Sequence, residues 1–505
     1  MRSRLLTALL LLIPSVAIAE VRLPNVLSDH AVLQREQPVR IWGWGRAGEH
    51  VTISFHEQNL TATADDFGHW EATLKPEAAG GPYTLTVKGD ATASPITRSD
   101  ILVGDVWIAS GQSNMEMPLQ GFNADTPVKD QVKEIAAANH PRMRLLLQRK
   151  RPSAVPLSDT EDTWTVCTPD TAKTFSAVAY FFGRTISEQQ NVPVGLIDTS
   201  WGGTPAQAWM STAGAAYTAM PSVYLNGSDM VFDQGRADDI KATWAAQDAA
   251  DKATGRTPVT HPRLTIDRNS SWTPAALYNG MIAPYTKLAI RGAIWYQGEA
   301  DQSLAMAPYY QRVFTGMIQD WRRQWAQGDF PFLFVQLSSW GSNTPDGWST
   351  VRDAQRRTLS LINTGMAVTL DVGHPTNIHP PDKQTVGARL AASALSLTYG
   401  SRKEGTSPMF TQATREPSAI RAWFTHADGL APKTGAVEGF EIAGADRKYV
   451  PAQAKVEVIA GHQTVVATAP TITAPVYIRY GWTPVVTGYV YNSAGLPLGT
   501  FTSEP

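Results

Sequence analysis

The chain has 505 residues, of which 43% are hydrophobic and 17% charged, with a formal net charge of −2. That length suits about three domains, and the composition excludes a disordered or low-complexity chain. The balanced charge excludes a strongly basic nucleic-acid-binding surface and a polybasic membrane-surface protein.

Arg2 and Arg4 precede an apolar run over residues 5–13, followed by Ala17-Ile18-Ala19. The run is too short to span a bilayer, and the small-residue site after it marks a cleavable export signal over 1–19. The mature chain is expected to begin near Glu20, to be periplasmic or secreted, and to contain no membrane span. From 20 to about 100 the pattern is β: residues 39–42, 51–55 and 83–87 alternate between turn clusters such as Asp65-Asp66-Phe67-Gly68 and Gly80-Gly81-Pro82. Short strands at this spacing predict a β-sandwich-like domain. Within it, Gly43-Trp44-Gly45-Arg46-Ala47-Gly48 satisfies a dinucleotide-binding pattern. That pattern carries mechanism only where a helix follows, and the strand-like 49–53 follows instead, so no nucleotide site is expected.

From 101 to about 402 apolar strands alternate with helical stretches. Strands are predicted at 106–110, 194–199, 289–296, 331–337 and 366–370, and helices at 177–190, 308–325, 350–362 and 383–399. This alternation predicts an α/β domain, a parallel sheet covered on both faces. The segment of about 212–270 reads as a polar, partly helical excursion with a helix over 236–253. Its Asn226-Gly227-Ser228 and Asn269-Ser270-Ser271 fit a glycosylation pattern that matters only in a eukaryotic secretory pathway. From 403 to 505 β character returns, with strands at 419–424, 455–459, 464–467 and 476–480, predicting a second β-domain. Cys167, the one cysteine, excludes an intrachain disulfide and a thiolate-rich zinc site. Its strand-like setting, Thr163-Trp164-Thr165-Val166-Cys167, reads as packing rather than as a nucleophile.

Ligands of a parallel α/β sheet bind beyond the carboxyl ends of its strands. Those positions carry Gln112-Ser113-Asn114, Ser200-Trp201-Gly202-Gly203-Thr204, Gln297-Gly298-Glu299-Ala300-Asp301, and the run from Asp371 through His374, Thr376 and Asn377 to His379. A hydroxyl, a Gly-Gly turn, an amide, carboxylates and histidines on one rim fit a Ser-His hydrolase. In such chemistry Ser113 needs a neighbouring base, for which His379 is the choice. The oxyanion needs preorganised donors, for which the Ser113 N–H, the Gly203 N–H and the Gln297 amide are the candidates. His374 and His379 lack a third ligand at metal-binding spacing, so no metal is expected. Trp201, Trp209, Trp295 and Trp340 lie near the rim, where an aromatic face can stack on a sugar.

The block Gly104-Asp105-Val106-Trp107-Ile108-Ala109-Ser110-Gly111-Gln112-Ser113-Asn114-Met115-Glu116 closely resembles the nucleophile block of sialate O-acetylesterases. These are members of the SGNH (GDSL-like) hydrolases allied to other carbohydrate acetylesterases. The resemblance continues through Asp198-Thr199-Ser200-Trp201-Gly202-Gly203-Thr204, Trp295-Tyr296-Gln297-Gly298-Glu299-Ala300-Asp301 and Ile378-His379-Pro380-Pro381-Asp382-Lys383-Gln384, and covers nearly the whole mature chain in order. It implies a flavodoxin-like catalytic sheet flanked by β-domains, with Ser113 as nucleophile, His379 as base, and Gly203 and Gln297 as oxyanion donors. The implied reaction is hydrolysis of a sugar O-acetyl ester through an acetyl-serine, without a cofactor. Sialic acid, xylan and xyloglucan are the substrate classes it leaves open. A sialate carboxylate calls for a cation, for which Arg352, Arg389 and Lys383 are available. The rivals are a broader esterase or lipase and a non-catalytic carbohydrate-binding protein. In one place the chain departs from the family: the positions three and two residues before the base, where relatives carry aspartate, hold Thr376 and Asn377. Glu299 is the leading substitute for the triad acid, followed by Asp371 and Asp301, with a Ser-His dyad as the remaining possibility.

Overall fold

The computed structural model describes residues 20–92, 94–221, 234–258, 261, 270–433 and 435–505. The expected export signal, the Asn226 motif and Asn269 lie outside the described residues.

The β-rich N-terminal part contains β1 (Val32–Gln34), β2 (Val39–Trp44), β3 (His50–Phe55), β4 (Gln58–Thr63), β5 (His69–Leu74) and β6 (Gly80–Gly89). The stretch after Gly48 is the strand β3, as the rejection of a nucleotide site requires. A single long strand, β7 (Ile96–Gly111), leaves this part and enters the next. Its first half pairs with β6 and β1, and its second half is the centre of the parallel sheet. The two parts are thus joined by a continuous hydrogen-bonded ladder rather than a linker.

The central sheet adds β8 (His140–Leu147), β9 (Thr165–Cys167), β10 (Val194–Asp198), β11 (Gly292–Tyr296), β12 (Phe332–Gln336) and β13 (Thr364–Val368). Their order is β13-β12-β11-β7-β10-β8-β9, all parallel except the edge strand β9. β10, β11 and β12 are buried along their whole length, as strands covered on both faces must be. Successive side chains alternate faces. Phe334 meets Phe314 of the helix Tyr310–Trp325, while Leu333 and Ser393 of the helix Lys383–Leu397 close around Gly365. Helices Ala177–Gln190 and Lys383–Leu397 pack together on one face, and Tyr310–Trp325 packs with Pro345–Thr358 on the other. Cys167 is buried in β9's packing, and burial pushes its thiol up to about 12.

Among the described residues the C-terminal part forms two four-stranded sheets and a two-stranded pair of Ala431–Pro432 with Val490–Tyr491. One holds the strands Met409–Arg415, Ile420–Thr425, His462–Thr468 and Gln453–Ile459; the other holds Val450–Pro451, Phe440–Ala443, Tyr477–Tyr480 and Phe501–Thr502. Phe410 of the first stacks on Phe501 of the second at 4.2 Å, so the sheets face one another. This part is anchored on the rim beyond β12. Gln336 exchanges two hydrogen bonds with the Thr500 backbone, and Arg352 donates to the carbonyls of Leu337, Ser338, Thr483 and Pro484. Among the described residues no helix is long and apolar enough to cross a membrane. The excursion contains the helix Gln234–Ala253.

Candidate active site

The parallel strands deliver their loops to one edge, and the site is built there. At the end of β7, Gly111 has φ of +137°, and a Cβ on it would lie 2.2 Å from the Tyr296 carbonyl. Only glycine permits this approach. The Gln112 N–H then donates to the same carbonyl at 2.9 Å, and the chain turns into the short helix Ser113–Glu116. Ser113 therefore stands at the top of the central strand. Its Oγ lies 2.8 Å from Nε2 of His379, which arrives on the loop after β13. The exposed Phe122 ring packs edge to face against His379 at 5.1 Å.

The turn after β10 supplies the opposite wall. The Asp198 carboxylate accepts from the Ser200 N–H and Oγ at 2.9 and 2.5 Å; burial pushes its pKa up to about 7. Glu116, on the helix that Ser113 opens, accepts from the Gly202 N–H and pairs with Lys150, whose ammonium stands 5.8 Å from the Trp201 ring. A Cβ on Gly202 would lie 3.2 Å from the Ser113 Cβ, while Gly203, with φ of +72°, faces open space. Among the described residues, neither the Ser113 N–H nor the Gly203 N–H is spent on a protein acceptor.

Three expectations are corrected by the hydrogen bonds. Gln297 is fully buried, and its amide donates to the Thr204 carbonyl and to Asp301, while its oxygen accepts from Tyr310. It braces the Gly203–Thr204 turn from below and has no donor left for an oxyanion. Asp301 completes that brace by accepting from the Ala206 N–H at 3.2 Å. The second correction concerns the triad acid. Glu299 bonds to Asn114, not to the imidazole. Asp371 is held bidentately by Arg389 at 2.6 and 2.8 Å, with Tyr491 at 3.1 Å. Asn377 uses its side-chain oxygen on the His379 backbone N–H at 2.8 Å. Among the described residues no carboxylate pairs with the His379 ring, and Ser113 and His379 stand as a dyad. Desolvation, reinforced by the Lys383 charge, pushes His379 down to about 4, so the resting imidazole is neutral at pH 7. Thirdly, none of the three expected cations is free for a substrate carboxylate: Arg352 and Lys383 are fully buried and Arg389 is paired. Trp209 and Trp295 likewise pack the core, in mutual contact at 6.0 Å, while Trp201 and Trp340 remain half-buried near the rim.

Two polar residues at the dyad have partners that the sequence reading did not assign. Asn114 places its amide against Glu299 at 2.6 Å and the Ile378 carbonyl at 2.9 Å, and accepts from Lys383 at 2.5 Å. Lys383 opens its helix, where a cation opposes the helix dipole; that position was the available signal.

A serine hydroxyl on a neutral imidazole beside two unspent backbone N–H groups is the constellation of acyl-transfer hydrolases. Residues 103–250 and 264–396 match the family model described as carbohydrate esterase, sialic acid-specific acetylesterase. The sialate O-acetylesterase of Homo sapiens is 30% identical over 418 residues, covering 75% of this chain and 72% of that one. That of Pongo abelii is 28% identical over 503 residues, covering 92% and 87%. The crystal structure of a carbohydrate acetylesterase from Xanthomonas citri superposes with a TM-score of 0.81 at 33% identity, covering 96% of this chain and 99% of that one. The chain belongs to the sialic acid-specific acetylesterase family of carbohydrate esterases, and is a hydrolase of that class.

Proposed function

We propose that the protein is an exported carbohydrate O-acetylesterase that removes acetyl groups from sugar hydroxyls through an acetyl-Ser113 intermediate. Its substrate is an acetylated sialic acid or a hemicellulose such as xylan or xyloglucan. The observation that carries the reading is the 2.8 Å contact between Ser113 Oγ and His379 Nε2, in a chain of this family. In the first half-reaction His379 takes the serine proton as Oγ attacks the acetyl carbonyl. The developing oxyanion is met by the N–H groups of Ser113 and Gly203. The imidazolium then returns its proton to the departing sugar oxygen. In the second half-reaction His379 activates water, which attacks the acetyl-serine and releases acetate. No carboxylate assists directly, and the acid of the usual triad is absent from the scheme.

The strand order supports a flavodoxin-like catalytic unit. Taking β7, β10, β11, β12 and β13 as the first to fifth strands gives the order 2-1-3-4-5, with β8 and β9 added at the edge. On this reading 1–19 is the export signal, 20–100 an N-terminal β-domain, 101–402 the catalytic domain and 403–505 a C-terminal β-domain.

The test is acetate release from acetylated sialic acid, xylan and xyloglucan, with Ser113→Ala alongside. Release by the wild type and not by the folded variant supports the serine route, and the preferred substrate names the sugar. Turnover confined to longer acyl esters points to a broader esterase, and sugar binding without turnover to a lectin-like role.

A further inference from the structure

The dyad sits on a buried polar cluster that the mechanism above leaves unused. Asn114, the residue after the nucleophile, spends every polar position of its amide. Its nitrogen donates to Glu299 Oε1 and to the Ile378 carbonyl, immediately before the base, and its oxygen accepts from Lys383 Nζ. Asn114, Glu299 and Lys383 are 2%, 4% and 0% exposed. The second Glu299 oxygen is solvent-inaccessible and, among the described residues, has no hydrogen-bond partner. Burying an ammonium and a carboxylate costs several kcal/mol each unless they compensate one another. A fold that needed only packing here would place apolar side chains.

We infer that Asn114, Glu299 and Lys383 are the positioning unit of the dyad, with Glu299 and Lys383 acting through Asn114 where a triad carboxylate would act directly. This rests on the Ser113–His379 reading. One amide ties the first turn of the nucleophile helix to the loop that carries the base. Glu299 and Lys383 fix that amide's orientation from opposite ends, because the ionised carboxylate can only accept and the charged ammonium can only donate. Lys383 also acts at a distance on His379. The titratable and charged groups facing Lys383 are Glu299, Asp382 and His379, with the Tyr296 ring 5.5 Å from Nζ. Of these, Asp382 is occupied in capping the helix through the Thr385 N–H. Burial brings Lys383 down to about 7 and raises Glu299, each opposed by the other's charge.

The test is steady-state acetate release across pH by wild type, Ser113→Ala, Lys383→Met and Glu299→Gln, with thermal melts to establish folding. Wild-type rates in Ser113→Ala would sink the serine reading itself; the other two variants test this inference. Lys383→Met frees the Asn114 amide. It is expected to lower kcat about 10- to 100-fold at unchanged KM, as misplacement of the reacting groups does. It also removes a positive charge near His379, so the acid limb of kcat/KM moves to higher pH. Glu299→Gln keeps an acceptor for Asn114 and is expected to lose no more than about tenfold in kcat. A folded Lys383→Met with wild-type kcat and an unmoved limb would overturn the inference. So would a Glu299→Gln loss of about 10⁴-fold, the signature of direct triad membership. Should Lys383→Met fail to fold, Asn114→Ser decides: reduced kcat at wild-type KM supports the unit, and wild-type kcat refutes it.

Discussion

The two glycines that follow Trp201 are chemically identical and adjacent, yet the site assigns them opposite sensitivities. An alanine methyl at 202 would lie 3.0 Å from Glu116 Oε2 and 3.2 Å from the Ser113 Cβ. Both neighbours belong to the nucleophile helix, so relief requires that helix to move by a few tenths of an ångström. Displacement of about 1 Å at a reacting centre costs about 100-fold, which places Gly202→Ala near a tenfold loss of kcat. At 203 the methyl meets nothing within 4 Å, but the residue has φ of +72°. A non-glycine residue there costs about 1–2 kcal/mol of stability while the N–H stays where it is. Gly203→Ala should therefore melt at a lower temperature and keep kcat within a few-fold. Acetate-release kinetics and thermal melts on both variants separate the two effects. An inactive but stable Gly203→Ala beside a fully active Gly202→Ala would refute the placement of this turn against Ser113.

The base supplies a pH prediction. On the proposed mechanism the rate needs neutral His379, and the neutral form is lost as pH falls through its folded value of about 4. At pH 5 about 90% of the imidazole is then neutral, against about 3% for a histidine at the ordinary 6.5; a pH profile of kcat/KM should stay flat from 7 to 5 and fall only below that. Asp371→Asn breaks the bidentate contact with Arg389 but touches neither dyad member. It should lower the melting temperature and leave kcat within a few-fold, whereas loss of activity in the folded variant would restore Asp371 as a triad candidate. Cys167 is buried with its thiol pushed up to about 12. A thiol reagent at pH 8 should therefore label nothing in the native protein and one group after denaturation; rapid native labelling would contradict the packing of β9.

The layout of the fold was largely written in local patterns. The helix Ala177–Gln190 falls where its periodicity places it, and β10 to β12 are close to their predicted positions, because fully buried strands read as apolar runs; β13, half-buried over its first two residues, starts two residues earlier than predicted. β8 was missed because His140, Pro141, Arg142 and Arg144 break its apolar pattern. Arg144 is nevertheless buried, its two terminal guanidinium nitrogens held by Asp100 and by backbone carbonyls, a compensation visible only in three dimensions. Ser113 and His379 were legible from the motif and the strand-end rule together. The role of Gln297 was not. Its amide is aimed by Asp301, four residues on, and by the Thr204 carbonyl, 93 residues back, and no spacing announces that pairing. Lys383 reads in sequence as a cation available to a substrate carboxylate; only the folded chain reveals that it is fully buried against Asn114.

On the proposed route, acetyl passes through Ser113. The most direct measurement is peptide mass mapping of enzyme acid-quenched during turnover of an acetylated sugar. An acetyl group is expected on the peptide carrying Ser113, rising with substrate and absent in Ser113→Ala. Steady acetate release with no acetylated Ser113 at any quench time, and undiminished release by Ser113→Ala, would contradict it.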